Sequence, residues 1–138
     1  MTERPGRRSA GAASMARMTQ ITPMVPVRSI AEGLAFYRDV LGFVVGLETD
    51  IYAFLRRDDV AVRLVRVDAD VDLHHPERQQ EFYVDVRGLD DLFSELTPAL
   101  SILPEGRVRA PFDTSYGKRE FHVIDGDATL VMFGEAIR

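Results

Sequence analysis

The sequence contains no cysteine among its 138 residues. This absence excludes a disulfide framework, a thiolate metal site and a cysteine nucleophile, and it permits a reducing compartment, so we expect a cytoplasmic protein. No apolar run approaches the ~20 residues of a membrane-spanning helix, and the N-terminal residues lack the apolar segment of a secretory leader. The sequence therefore predicts no membrane partner.

Positive charge is also scarce, because 17 Lys and Arg residues stand against 22 Asp and Glu residues and leave a net charge of −5. This balance argues against non-specific nucleic-acid binding and is compatible with cationic ligands. The sequence has no phosphate-binding loop, nucleophile elbow, dinucleotide fingerprint or zinc-protease motif. No motif therefore assigns a catalytic residue.

Hydrophobic residues make up 46% of the chain, which is enough for a core, and the length favours one domain. Residues 1–19 are rich in Arg, Gly, Ala and Ser without periodicity, which predicts a disordered tail. We expect residues 20–138 to form the folded domain, with modules at about 20–70 and 80–138.

The last hairpin has the clearest local pattern. Phe121 and Val123, and then Val131 and Phe133, alternate at a period of two and predict two strands with one buried face. The opposite face mixes polar and apolar side chains, which is typical of the wall of a cleft. Its residues are Glu120, His122, Leu130 and Met132.

Two helices are predicted by their caps and their periodicity. A capping box of Ser29 and Glu32 begins the first helix, and Gly42 is predicted to end it. The second helix is predicted from about Leu89 to Leu100.

An internal repeat predicts the fold class, because strand, helix and three strands follow one another twice. At an offset of 59 residues, Val27 and Ile30 align with Val86 and Leu89. We therefore predict an α+β fold of two tandem βαβββ modules that form a cleft between curled mixed sheets. The same offset aligns two apolar residues of an earlier hairpin with the last one. These matches are Val62 with Phe121 and Leu64 with Val123.

Two longer motifs point to a family. Ile30 to Phe43 ends in Leu-Ala-Phe-Tyr-Arg-Asp-Val-Leu-Gly-Phe, and a second segment reads Tyr116-Gly-Lys-Arg-Glu-Phe-His-Val-Ile-Asp-Gly-Asp. With the paired modules, they resemble the vicinal-oxygen-chelate superfamily of glyoxalase I, extradiol dioxygenases and bleomycin-resistance proteins, over about residues 20–135. The second motif leans toward the bleomycin-resistance branch. The resemblance implies a homodimer, often with the first strand exchanged, and Pro23 and Pro26 fit either a stiff crossover or a protected edge.

The metal enzymes of that superfamily place His, Glu or Gln ligands on the cleft strands. The resemblance puts these positions at Thr22, Arg63, Glu81 and Met132. Only Glu81 would bind a divalent ion well, because an arginine cation repels the metal and a thioether prefers Cu(I). We therefore expect no metal, no other cofactor and no catalytic residue.

Nine residues are predicted to line the ligand-binding cleft, and several have alternative roles. Arg63 and Glu81 either form a structural ion pair or orient a polar ligand. His122 is a general base, a stacking group or only a cleft-lining residue. Glu120 bonds to a neighbouring strand or to Arg119. The aromatic residues of the set stack on a flat ligand or pack in the cleft. The nine are Thr22, Phe54, Arg63, Glu81, Tyr83, Tyr116, Glu120, His122 and Met132.

Three functions are compatible with these patterns. The favoured one is a non-catalytic protein of the bleomycin-resistance type, which sequesters a cationic, partly aromatic small molecule. The second is a metal-dependent lyase, isomerase or dioxygenase, in which Glu120, His122 and Glu81 regroup around an ion. The third is a metabolite sensor or accessory protein.

Overall fold

The computed structural model describes residues 14–138, so most of the predicted disordered tail lies outside the described residues. Residues 14–19 are exposed and belong to no helix or strand. The elements, in chain order, are β1 (Met24–Val27), α1 (Ile30–Tyr37), β2 (Val44–Glu48), β3 (Tyr52–Arg57), β4 (Val60–Arg66), β5 (Gln80–Asp85), α2 (Leu89–Leu100), β6 (Val108–Asp113), β7 (Lys118–Ile124) and β8 (Thr129–Ala136).

These elements form two βαβββ modules, each with its own four-stranded sheet. The first module has the strand order β1-β4-β3-β2 and the second has β5-β8-β7-β6. In each sheet the first strand pairs in parallel with the last, and the other pairs are antiparallel. The predicted α+β fold of two tandem modules is confirmed. As expected from its prolines, β1 lies at a sheet edge.

The repeat is correct for the helices and wrong for the last strands. The helices begin 59 residues apart, at Ile30 and Leu89. Beyond them the constant offset aligned β4 with β7, whereas pairing with the first strand makes β4 the counterpart of β8. The register places Arg63 opposite Met24 and Met132 opposite Tyr83, so the offset in the last strands is 69 residues. The second module is longer, in part because α2 has 12 residues and α1 has 8.

The first helix ends earlier than predicted. It stops at Tyr37 rather than near Gly42, because the amides of Val40 and Leu41 both donate to the carbonyl of Phe36 and open the regular bonding pattern. Gly42 still turns the chain, with a φ of 81° that suits glycine. The second helix spans Leu89–Leu100, as predicted.

The inner faces of both sheets and both helices contribute to one hydrophobic core. Each strand alternates, so that the inner face of a sheet is buried and its other face, here called the outer face, is turned away from the core. Phe121, Val123 and Val131 are at most 1% exposed on the inner face of the second sheet. This confirms the alternation predicted for the last hairpin. No helix within residues 14–138 is long and apolar enough to cross a membrane.

Buried polar contacts join the modules. The Tyr37 hydroxyl on α1 donates to Asp125 in the β7–β8 turn at 2.8 Å, and the Arg28 amide donates to Asp127 at 3.0 Å. Burial raises the pKa of Asp125, although three hydrogen-bond donors oppose this effect. The turn therefore fixes the second sheet against the first helix.

Candidate functional site

A buried carboxylate organises the outer face of the second sheet. Glu120 on β7 is 0% exposed. It accepts hydrogen bonds from the hydroxyls of Tyr83 at 2.9 Å and Tyr116 at 2.7 Å, and its other oxygen lies 2.8 Å from Nε2 of His122. A buried carboxylate needs such partners, because an unpaired one would be strongly destabilised. We call these four residues the Glu120 cluster.

The strand register explains how the cluster assembles. His122 on β7 is opposite Met132 on β8, and Met132 is opposite Tyr83 on β5, so the three side chains form a row across the sheet. Tyr83 reaches Glu120 by crossing β8 at Gly134. A Cβ at that glycine would lie 1.7 Å from the Tyr83 hydroxyl oxygen, so the crossing needs a residue without a side chain.

The cluster holds Glu120 in its charged form. Burial alone would raise the pKa of Glu120, but the hydrogen bonds from His122, Tyr116 and Tyr83 outweigh it and lower the pKa below its usual range. Burial, and then the bond to Glu120, raise the pKa of Tyr83. The bond to Glu120 is the main cause that raises the pKa of Tyr116. The two phenols therefore stay protonated and act as donors.

Sequence reasoning missed two residues that extend this face. Phe112 on β6 contacts His122 edge to face, with ring centroids 5.2 Å apart, and the Arg109 guanidinium carbon lies 3.5 Å from the Phe112 ring centroid. A bulge between Arg109 and Phe112 brings both residues to the outer face although they are three positions apart. The sequence gave no signal for this, because period-two alternation would place them on opposite faces.

Two of the nine predicted residues lie on the outer face of the first sheet. The Phe54 ring has the guanidinium carbons of Arg63 and Arg56 at 5.1 and 5.6 Å from its centroid. Arg63 also donates to the Tyr52 hydroxyl at 2.5 Å, and Arg56 donates to Gln20 at 2.9 Å. We call Tyr52, Phe54, Arg56 and Arg63 the Arg63 cluster, of which Tyr52 and Arg56 were not predicted.

The predicted pairing of Arg63 with Glu81 is wrong. The two residues belong to different sheets, and no ion pair within residues 14–138 includes either of them. Glu81 is exposed on β5, and Thr22 lies before β1 and accepts a bond from Gln20. The alternative partner proposed for Glu120 is also wrong, because Arg119 pairs with Asp90 and Asp113.

The residues at the family's metal positions do not fit a divalent ion. Thr22 and Arg63 belong to the first module, whereas Glu81 and Met132 belong to the second. Their donor set has one carboxylate, and it includes a guanidinium cation. The regrouped set of Glu120, His122 and Glu81 does not form either, since the described part of the chain has no cluster of three His, Cys, Asp or Glu residues that could hold a metal.

A cavity of about 660 Å³ lies away from both clusters, between the tip of the β3–β4 hairpin and α2. Its base is apolar, with Leu41, Phe43 and Phe133, and charged side chains such as Asp59 and Arg87 form its rim. None of the nine predicted residues lines it. The candidate site is therefore an open sheet face rather than this cavity.

Comparisons with known proteins agree with this fold. The family model Glyoxalase/Bleomycin resistance protein/Dioxygenase superfamily matches residues 17–133. A bleomycin resistance protein from Geobacillus stearothermophilus is 26% identical over 134 residues, which cover 88% of this chain and 99% of that protein. A bleomycin-binding protein complexed with bleomycin matches with a TM-score of 0.73 at 21% identity, over 86% of this chain and 98% of the other. A bleomycin-binding protein from Streptomyces verticillus, complexed with copper(II)-bleomycin, matches with a TM-score of 0.71 at 21% identity, over 86% and 97% of the two chains. Because the family model spans most of the sequence, the chain belongs to the glyoxalase/bleomycin resistance protein/dioxygenase superfamily.

Proposed function

We propose that this protein is a non-catalytic small-molecule binding protein, similar to bleomycin-resistance proteins, that sequesters a cationic or aromatic ligand. The Glu120 cluster is the observation that carries the proposal. The relatives support it, because one is named a bleomycin resistance protein and two solved neighbours are complexes with bleomycin. The ligand-binding face is the outer face of the second sheet.

The exposed parts of the cluster are aromatic rings with their polar atoms turned inward. Tyr83 is 37% exposed and Tyr116 is 65% exposed, yet both hydroxyls donate to the buried carboxylate. The ring faces therefore stay available for stacking. A ring whose hydroxyl donates to a carboxylate is also richer in electrons, which strengthens its attraction for a cation. Such contacts contribute about 0.5–2 kcal/mol each, depending on desolvation.

The same geometry favours binding over catalysis. A general base must reach the substrate proton and have a pKa near the working pH. Glu120 is closed to solvent, three donors occupy its oxygens, and its pKa is lowered. These properties make it a weak and inaccessible base. They suit a fixed negative charge beneath an aromatic surface.

The ligand-binding unit in this proposal is a homodimer, as the family resemblance implies. Exposed apolar residues on the outer faces support it, since Met24 and Leu47 on the first sheet are 56% and 53% exposed. A second copy would cover such residues and deepen an open face into a cleft. Light scattering of the purified protein measures the mass, and a monomer at every concentration would contradict this part of the proposal.

A thermal-shift titration tests the binding function directly. Metal-stripped protein is titrated with bleomycin in one series and with Mn²⁺, Ni²⁺ and Zn²⁺ in another. A ligand that binds only the native state adds about 2.7 kcal/mol of stability at ~100 times its dissociation constant, which raises Tm visibly. We expect a shift with bleomycin that Tyr116→Leu reduces. A shift with a metal alone would instead support the enzyme hypothesis.

A further inference from the structure

The outer face of the first sheet carries two arginines without an acidic partner. Arg56 and Arg63 share the Phe54 ring, and their side chains donate only to the neutral oxygens of Gln20 and Tyr52. Other arginines of the described chain have carboxylate partners. These are Arg38 with Asp39, Arg57 with Glu95 and Asp58, and Arg119 with Asp90 and Asp113.

This arrangement is electrostatically incomplete. Arg63 is half-buried, so part of its hydration is lost without a counter-charge. A second guanidinium on the same ring adds repulsion between like charges. A guanidinium presents a planar set of N–H donors that matches the oxygens of a carboxylate or sulfonate. An anion bound between the two arginines would relieve both effects.

Apolar side chains flank the two arginines on the same face. The register forms a row across four strands, in which Leu47 is opposite Phe54, Phe54 is opposite Arg63, and Arg63 is opposite Met24. Directly opposed residues project to the same side of a sheet, and Leu47 and Met24 at the two ends are more than half exposed. The row offers positive charge in its middle and apolar surface at both ends.

We propose that the Arg63 cluster is a binding site for an organic anion with an aromatic body. The anionic group pairs with Arg63 and Arg56, and the ring lies on the guanidinium planes and the exposed Leu47 and Met24 side chains. Tyr52 positions Arg63 through its hydroxyl. This site is separate from the Glu120 cluster and does not depend on the cationic ligand proposed above.

The test compares two probes of the same shape, 2-naphthalenesulfonate and the uncharged 2-naphthalenesulfonamide, by isothermal titration at constant ionic strength. We expect the sulfonate to bind more tightly. Arg63→Gln and Arg56→Gln should each weaken sulfonate binding about tenfold and leave sulfonamide binding unchanged. Arg66→Gln is the matched control, because Arg66 is an exposed arginine of the same strand and its loss changes the net charge equally.

Three results would overturn the proposal. They are no sulfonate binding, equal binding of the two probes, and the same loss in Arg66→Gln as in Arg63→Gln. A different occupant, the acidic face of a second copy, would show itself if Arg63→Gln dissociated the assembly while the sulfonate had no effect. Arg56→Gln keeps the test valid if Arg63→Gln does not fold, and circular dichroism checks each variant.

Discussion

The two modules place opposite chemistry on equivalent positions of their outer faces. In the first sheet, the row across the four strands is Leu47, Phe54, Arg63 and Met24, and in the second it is Arg109, His122, Met132 and Tyr83. Two residues before Phe54 and His122 stand Tyr52 and Glu120. The backbone pairing is therefore the same, whereas the charge near the centre is positive in one module and negative in the other.

The charged groups also differ in how deeply they are held. Glu120 is fully buried with three hydrogen-bond partners, whereas Arg63 is half-buried with one. A buried charge that is fully bonded contributes to the fold, and a half-open charge with spare donors is available to a ligand. The comparison teaches that a duplicated fold can keep its sheet and separate a structural charge from a binding charge.

The largest effect should come from removing the two central charges in turn. Glu120→Ala leaves two phenols and an imidazole without their acceptor and opens a cavity, so we expect a loss of about 3–5 kcal/mol in the free energy of unfolding. Arg63→Ala should cost about 1 kcal/mol or less, because its only hydrogen-bond partner is a half-buried phenol. Denaturant unfolding measures both variants. Equal losses would end the distinction between the two charges.

A second comparison uses the residues where the last strands differ. Gly134→Ala should force Tyr83 away from Glu120 and cost about 1–3 kcal/mol, because the new Cβ would occupy the position of the Tyr83 hydroxyl. Its counterpart in the first sheet, Val65, has no such crossing, so Val65→Ala should cost no more than about 1.5 kcal/mol. In a Tyr83→Ala background the cost of Gly134→Ala should vanish, and persistence of the full cost there would show that the glycine has another role.

Much of the fold was predictable, because its signals are local. Alternation defined the last hairpin, periodicity and caps defined Leu89–Leu100, and two prolines indicated the edge position of β1. The register of the repeat was less accessible. An insertion between the helix and the last strand leaves the alternation intact, so the change of offset from 59 to 69 residues leaves no trace in the period-two pattern.

The site was only partly predictable, because its contacts join distant segments. Tyr83 and Glu120 are separated by 37 residues and meet only through the absence of a side chain at Gly134. Arg109 and Phe112 share a face only because of a bulge. The pairing of Arg63 with Glu81 failed for a related reason, since polarity suggests partners but does not show which sheet each residue belongs to.

A third comparison uses pH. The pKa of Glu120 is lower in the folded chain than its usual value, so the unfolded chain binds a proton first as the pH falls. The contribution of Glu120 to stability is thus present above about pH 4.3 and is lost as the pH falls through the folded pKa. Glu120→Gln should flatten the decline of the unfolding free energy in that window, and Arg63→Gln should not.

The difference between wild type and Glu120→Gln isolates this group. Asp125, whose pKa is raised by burial and therefore acts in the opposite direction, is present in both proteins and cancels. The measurement is a series of urea unfolding curves between pH 3 and 6, roughly the range in which carboxylates titrate. Parallel curves for the two proteins would show that the three hydrogen bonds do not hold the charged form of Glu120.

The smallest expected effect concerns the stacked arginine of the second sheet. The Arg109 guanidinium lies over Phe112 at 3.5 Å from the ring centroid, but Arg109 is exposed. A contact of this kind contributes about 0.5–1 kcal/mol at an exposed site. A double-mutant cycle of Arg109→Gln and Phe112→Leu separates the contact from the loss of each side chain. A coupling near zero would mean that Arg109, like the arginines of the first sheet, is free to bind a ligand, and the contrast in charge between the two faces would be weaker than the folded structure suggests.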